Sequence, residues 1–177
     1  LLKESRRTVD DVRGVGVGVP GPVEFATGTP VAPPIMPGWD GYGIAARLRD
    51  RYQAPVLVDN DVNIMALGEY WSRWRDTDHL LFVKVGTGIG CGVITDGRIH
   101  RGAQGAAGDI GHIHVPDHDD VICRCGNLGC LEAIAGGGAM AAKLTSLGVP
   151  AKNSRDVVKH VRDGRPDVRA ARDVERH

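Results

Sequence analysis

No apolar run in this 177-residue chain approaches the length of a membrane span, and the opening LLKESRRTVDDVR lacks the apolar core of a secretory signal. Neither sign of charge is in excess. The 22 Lys and Arg balance 22 Asp and Glu, so bulk electrostatics offers no pull toward nucleic acid or an anionic membrane, and DNA binding would need residues outside this chain. There is no initiator Met, so a native segment is expected ahead of Leu1. Internal repeats and low-complexity tracts are also missing. What remains, 42% hydrophobic and 25% charged residues, is the composition of one ordinary domain with a sizeable core, expected in the cytoplasm.

Cysteine is scarce but concentrated. Of four in the chain, Cys123, Cys125 and Cys130 fall within GHIHVPDHDDVICRCGNLGCLE, while Cys91 sits in an apolar stretch as a small core residue. Stable disulfides are rare in a reducing cytoplasm, and three clustered thiols leave one over in any pairing. A metal is the better reading. Three thiolates and one imidazole close a tetrahedron around zinc, and a complete protein ligand set marks a structural site. The imidazole is expected from nearby, and His112, His114 and His118 are all candidates. His112 and His114 stand two apart, on one face of a strand, so spacing does not choose between them.

Elsewhere strands alternate with helices. GVGVGVP (14–20) reads as a buried strand stopped by PGP, followed by a long Pro/Gly-rich connector whose length points to function or an excursion over a cleft. WDGYGIAARLRDRY reads as a helix with Asp40 as its cap and Ile44 and Leu48 on one face. APVLVDND supplies a short strand and DVNIMALGEYWSRW a helix. HLLFVKVGTGIGCGVITDGRIHRG gives two strands joined by a glycine-rich turn, EAIAGGGAMAAKLTSLG turns helical, and SRDVVKHVRDGRPDVRAARDVERH divides into two short amphipathic helices.

Two stretches carry open alternatives. VGTGIGCG is a tight hairpin or a phosphate cradle: no Gly-Lys-Ser/Thr follows, as a P-loop would need, and no helix follows, yet glycines let backbone N–H groups converge on an anion and Thr87 adds a hydroxyl. VDNDVN crowds Asp59, Asn60, Asp61 and Asn63 onto the exit of an apolar strand, where doubly wound α/β sheets place ligand groups. An Asp there serves as a general base, or Asn60 or Asp61 merely caps the next helix.

The order of these pieces is specific. GVGVPGPV, VDNDVN…ALGE, VGTGIGCGVITDGRIHRGAQGAAGDIGHIHV and CRCGNLGCLE together resemble the ROK family of repressors, open reading frames and sugar kinases, from about Gly14 to about Ala135 by motif and more loosely to the end. The resemblance implies an α/β, actin-like and hexokinase-like (ribonuclease H-like) fold whose two lobes close over a sugar and ATP. It implies that Asp61 is the catalytic base toward a sugar hydroxyl and that Asn60 hydrogen-bonds the sugar. Asp109, His112 and Glu132 match sugar ligands, and Gly86, Thr87, Gly88 and Gly90 would face the ATP phosphates, with Mg²⁺ accompanying ATP in a kinase. It also selects His112 over His114 as the zinc ligand beside Cys123, Cys125 and Cys130. The metal would then hold both His112 and, two residues past Cys130, Glu132.

Residues 1–177 match the central part of such a domain. The family's first phosphate loop would precede them, and a C-terminal lobe would follow. Asp109 stands where kinases of the family commonly carry Glu, Ile35 where they carry Asn, and Asp117, Asp119 and Asp120 make an acidic loop where glycine is common. These departures resemble the sugar-responsive repressor branch, although Asp61 is intact. The resemblance therefore implies an effector domain whose DNA-binding part lies upstream, or else an ATP-dependent hexose or N-acylhexosamine kinase. In either case the expected partner is a sugar, the full-length protein is expected to be a homo-oligomer, and no membrane is involved.

Overall fold

Valines alternating with glycines can present only one apolar face, and this decides the first strand. In the structure, a computed structural model describing residues 2–164, β1 (Val15–Val19) turns its valines inward and leaves Gly16 and Gly18 exposed. The strand is therefore half-buried, where a fully buried one was expected. It pairs in parallel with β4 (Val56–Asn60), Val15 opposite Val56 through Val19 opposite Asn60. A parallel pair requires a crossover, and the long connector supplies it. That connector holds a small antiparallel ribbon, β2 (Val23–Glu24) with β3 (Thr29–Pro30), and then α1 (Ile44–Tyr52). Val19, Val23, Ile44, Ala45, Val56 and Val58 form the core here, with Leu48 packed against it as the helical spacing predicts.

The cap of α1 differs from expectation. Asp40 accepts a hydrogen bond from the Ala32 N–H at 2.7 Å, so its carboxylate pins the connector, and the helix starts from Gly43 with no side-chain cap. Two residues, Gly41 and Tyr42, separate Asp40 from Gly43, the N-cap position that a capping side chain would have to occupy.

β4 passes directly into α2 (Asp61–Arg73), whose buried face carries Val62, Asn63, Ala66 and Tyr70. A three-stranded sheet follows in the order β5 (Leu80–Val85), β6 (Ile89–Thr95), β7 (Arg98–His100). α2 lies so close to β6 that a Cβ on Gly92 would collide with Ala66 and the Val62 carbonyl. β6 returns into β7 through Asp96 and Gly97, with φ of 50° and 69°, the pair of left-handed residues that a two-residue hairpin turn requires.

By contact density the described chain divides into two compact units, residues 2–82 with 91–108, and residues 83–90 with 109–164. The second contains α3 (Leu131–Ala135), α4 (Gly137–Ser146) and α5 (Ser154–Arg162), with a core of Ala141, Leu144, Val149, Ala151 and Val157. The helical stretch expected as one is broken at Gly136, which is extended at ψ 152°. α5 is capped by the Asn153 side chain, which accepts from the N–H groups of Arg155 and Asp156. The second amphipathic helix expected near the C-terminus lies outside the described residues. Among those residues no helix is long and apolar enough to cross a membrane.

Candidate metal centre and ligand site

The three clustered cysteines converge. A short turn begins at Cys123, whose N–H donates to Asn127 O at 2.8 Å and whose carbonyl accepts from Gly126 N at 3.0 Å. Gly126, at φ +93°, makes the reversal that brings Cys125 back toward Cys130. A bridge from His114 to Cys130 then pairs the returning strand with the GHIHV segment, placing His112 beside the thiols. The ligand atoms of His112, Cys123, Cys125 and Cys130 all lie within 4.8 Å of one another.

Two edges of this group can be compared with a real coordination shell. Cys123 Sγ is 3.5 Å from His112 Nδ1, and Cys125 Sγ is 3.7 Å from Cys130 Sγ. Bonds of about 2.3 Å to sulfur and about 2.0 Å to nitrogen in a tetrahedron give edges of about 3.5 Å and about 3.7 Å respectively. The residues present therefore fit a metal ion of that kind. His114 points elsewhere, its Nε2 lying 2.8 Å from Asp119 at the exposed surface, and His118 is not among the converging atoms.

Without a metal the thiols are unequal. Burial pushes the Cys130 thiol up to about 12, assisted by the neighbouring Cys125 and Cys123 sulfurs. Burial also raises Cys125, but hydrogen bonds from the Asn127 backbone, from Cys123 and Cys130, and from its own backbone outweigh it, and the net shift is downward. One thiolate is thus easily formed and another costly, an arrangement that a divalent cation relieves by stabilising all three.

The ring of His112 faces two ways. Nδ1 faces Cys123, and Nε2 lies 3.7 Å from the Asp109 carboxylate. Asp109 is raised above the ordinary aspartate value by desolvation and by the charge of Glu132, partly offset by His112. Cys130 occupies the N-cap position of α3 without a side-chain cap bond, placing Glu132 in the first turn. There the Glu132 Oε2 accepts from the Ile89 N–H at 3.0 Å, so the carboxylate lies against the glycine turn. No Cβ would fit on Gly88, because that carboxylate occupies its place. The same turn is held from the other side: Gly137 N–H donates to Gly86 O at 2.8 Å and Gly138 N–H to Thr87 O at 3.0 Å. Gly86, Thr87 and Gly88 thus form the turn between β5 and β6, with the Gly86 N–H engaged by Gly88 O, and Gly90 lies within β6. Gly88 makes room for Glu132, and Gly137 at the start of α4 makes room for Gly86 O.

In the other unit, Asn60 caps α2. Its Oδ1 accepts from the N–H of Val62 at 2.8 Å and of Asn63 at 3.3 Å, while its Nδ2 donates to Gly21 O at 2.9 Å. Asp61, half-buried, opens the helix. Beneath them is a network that the sequence reading missed. Buried Asp59 receives Arg101 through Nε at 3.0 Å and Nη2 at 2.8 Å, together with the Asn63 side chain at 2.9 Å. Asp59 shares a face of β4 with exposed Leu57, so the alternation of the strand carried no signal that it would be buried and need such a partner.

The sequence profile of the ROK family matches residues 1–176. This chain belongs to the ROK family. It is 37% identical over 147 residues to the xylose repressor of Caldicellulosiruptor bescii, covering 82% of this chain and 36% of that protein. It is 35% identical over 174 residues to a glucokinase of Halalkalibacterium halodurans, covering 98% of this chain and 52% of that one. Among solved structures, a ROK hexokinase from Thermus thermophilus superposes with a TM-score of 0.74 at 31% identity, over 96% of this chain and 55% of that chain. The chain thus spans between about a third and about a half of the length of these two curated relatives, one a repressor and the other a glucokinase.

Proposed function

We propose that this chain is the sugar-binding, zinc-organised part of a ROK regulator, the effector-sensing region of a sugar-responsive transcriptional repressor. One observation carries the reading: a single imidazole, His112, faces the thiol cluster with Nδ1 and Asp109 with Nε2. With Nδ1 committed to a metal, Nε2 must hold the ring proton, so the ring becomes a fixed donor. Zinc would supply charge to keep the three sulfurs as thiolates, and its ligands would be His112, Cys123, Cys125 and Cys130. Asp109 and Glu132 would accept hydrogen bonds from sugar hydroxyls, and the family resemblance assigns Asn60 and Asp61 to the sugar as well. Residues 1–177 are read as the central part of a longer domain, and DNA binding is assigned to a separate segment.

The second reading, an ATP-dependent sugar kinase, is favoured by Asp61, held at the first residue of α2 by the Asn60 cap. There its carboxylate would accept the proton of the attacking sugar hydroxyl, while Gly86, Thr87, Gly88 and Gly90 would line the nucleotide phosphates. ATP with Mg²⁺ would supply the phosphoryl group.

Calorimetric titration of glucose, xylose and N-acetylglucosamine into the full-length protein tests both. His112→Ala should lose metal and sugar together, whereas Asp61→Asn should retain sugar affinity. Sugar binding without ATP turnover, together with sugar-dependent release of DNA, supports the repressor. Turnover that falls at least about a hundredfold in Asp61→Asn supports the kinase. Retention of both zinc and sugar by His112→Ala would overturn the site.

A further inference from the structure

The Asp59 and Arg101 pair is largely enclosed. The Asp59 side chain is 7% exposed and that of Arg101 24%. Both guanidinium bonds go to one oxygen, Oδ2, while the other, Oδ1, accepts from the Asn60 N–H at 2.8 Å and from Asn63 Nδ2 at 2.9 Å. The aromatic ring of Phe25 lies 3.6 Å from the guanidinium carbon. Both oxygens of the carboxylate are thus engaged, one by Arg101 and the other by the residue that caps α2 and by the first buried turn of that helix.

A buried ion pair is a poor device for stability, because desolvating both charges cancels most of their attraction. Its use lies in directionality. Asp59 cannot rotate without breaking its bonds to Asn60 and Asn63, and Asn60 cannot move without releasing Val62, Asn63 and Gly21 O. Asp61 lies between these anchored positions.

We propose that Arg101 is a positioning residue, which through Asp59 fixes the corner between β4 and α2 and so sets the orientation of Asp61 without touching ligand itself. The inference rests on the reading of Asp61 as a sugar-site residue. Arg101→Lys keeps the charge but removes the second N–H bond, and the corner should loosen while the fold persists.

Amide hydrogen exchange on the full-length protein reads the corner without any ligand. In Arg101→Lys the Val62 and Asn63 amides should lose protection by about tenfold or more, with β6 and β7 changed much less. Asp59→Asn, which preserves size, should give the same local signature. Uniform loss across the unit, or no loss at the corner in either variant, overturns the proposal. Affinity for whichever of glucose, xylose or N-acetylglucosamine binds should weaken about tenfold in Arg101→Lys, since small misplacements of a ligand group are costly. In an Asp61→Ala background, the same Arg101→Lys change should have no further effect on affinity. Additive losses overturn the proposal and leave the site reading intact. Unchanged affinity in Asp61→Ala alone overturns the site reading, and with it the role given to Arg101.

Discussion

Cys130 is the least exposed of His112, Cys123, Cys125 and Cys130, at 1%, and its sulfur is the hardest to ionise without a cation. Cys130→Ser or Cys125→Ser should lower bound zinc from about one per molecule, measured by elemental analysis under reducing conditions, and lower the Tm with it, because metal-binding energy is folding energy. The two forms of the protein should respond oppositely to alkali. In the metal-free chain the folded Cys130 thiol titrates at about 12 while the unfolded one titrates near 9.0. Between those values the unfolded state has released a proton that the folded state keeps. Stability from this group is therefore fully present below about pH 9 and lost as pH rises toward about 12. Buried Cys91 is shifted the same way, by desolvation. Zinc-loaded protein needs the thiolates, so its metal affinity should increase over the same range. Thermal melts of chelated and loaded protein from about pH 8 to about pH 10 would show the divergence.

The helix termini hold the next level of organisation. Asn60→Ala removes a cap that serves Val62 and Asn63 and strands Gly21 O, and should destabilise by about 1 to 2 kcal/mol in denaturant unfolding. Gly137→Ala would drive a methyl group into Gly86 O and the Ser154 side chain, with a cost of about 1 to 3 kcal/mol and displacement of the glycine turn. Most elements were legible because their signals are local: the apolar run before VDND, the 3.6-residue spacing of Ile44 and Leu48, and the glycines between β5 and β6. Misreadings came from competition between neighbours. Asp40 had the composition of a cap but found the Ala32 N–H, and a continuous helical pattern was interrupted at Gly136, which is extended. The thiol cluster was readable from spacing, whereas the choice of His112 over His114 needed either the family resemblance or the folded geometry. Arg101 was invisible in the sequence, because its partner is 42 residues away and nothing local links them.

For the whole molecule, membership of the ROK family is shared with relatives that include both repressors and glucokinases. If zinc organises the sugar ligands as proposed, stripping it with a chelator should abolish sugar binding in calorimetry, and restoring zinc should recover it. Loss of zinc with full retention of affinity would separate the metal from the site.

The span from His112 to Cys130 has little apolar interior of its own. Ile113, Ile122 and Leu128 are 59%, 76% and 47% exposed, and its deepest side chains are those of Cys123 and Cys130. Without a cation, little but a few backbone hydrogen bonds would hold it closed, and Arg124, exposed at the tip between two of the thiols, offers trypsin a cleavage point. Limited digestion should therefore leave the metal-loaded chain intact at Arg124 and cut it there after chelation. Metal occupancy would then govern how long the protein survives proteases as well as what it binds.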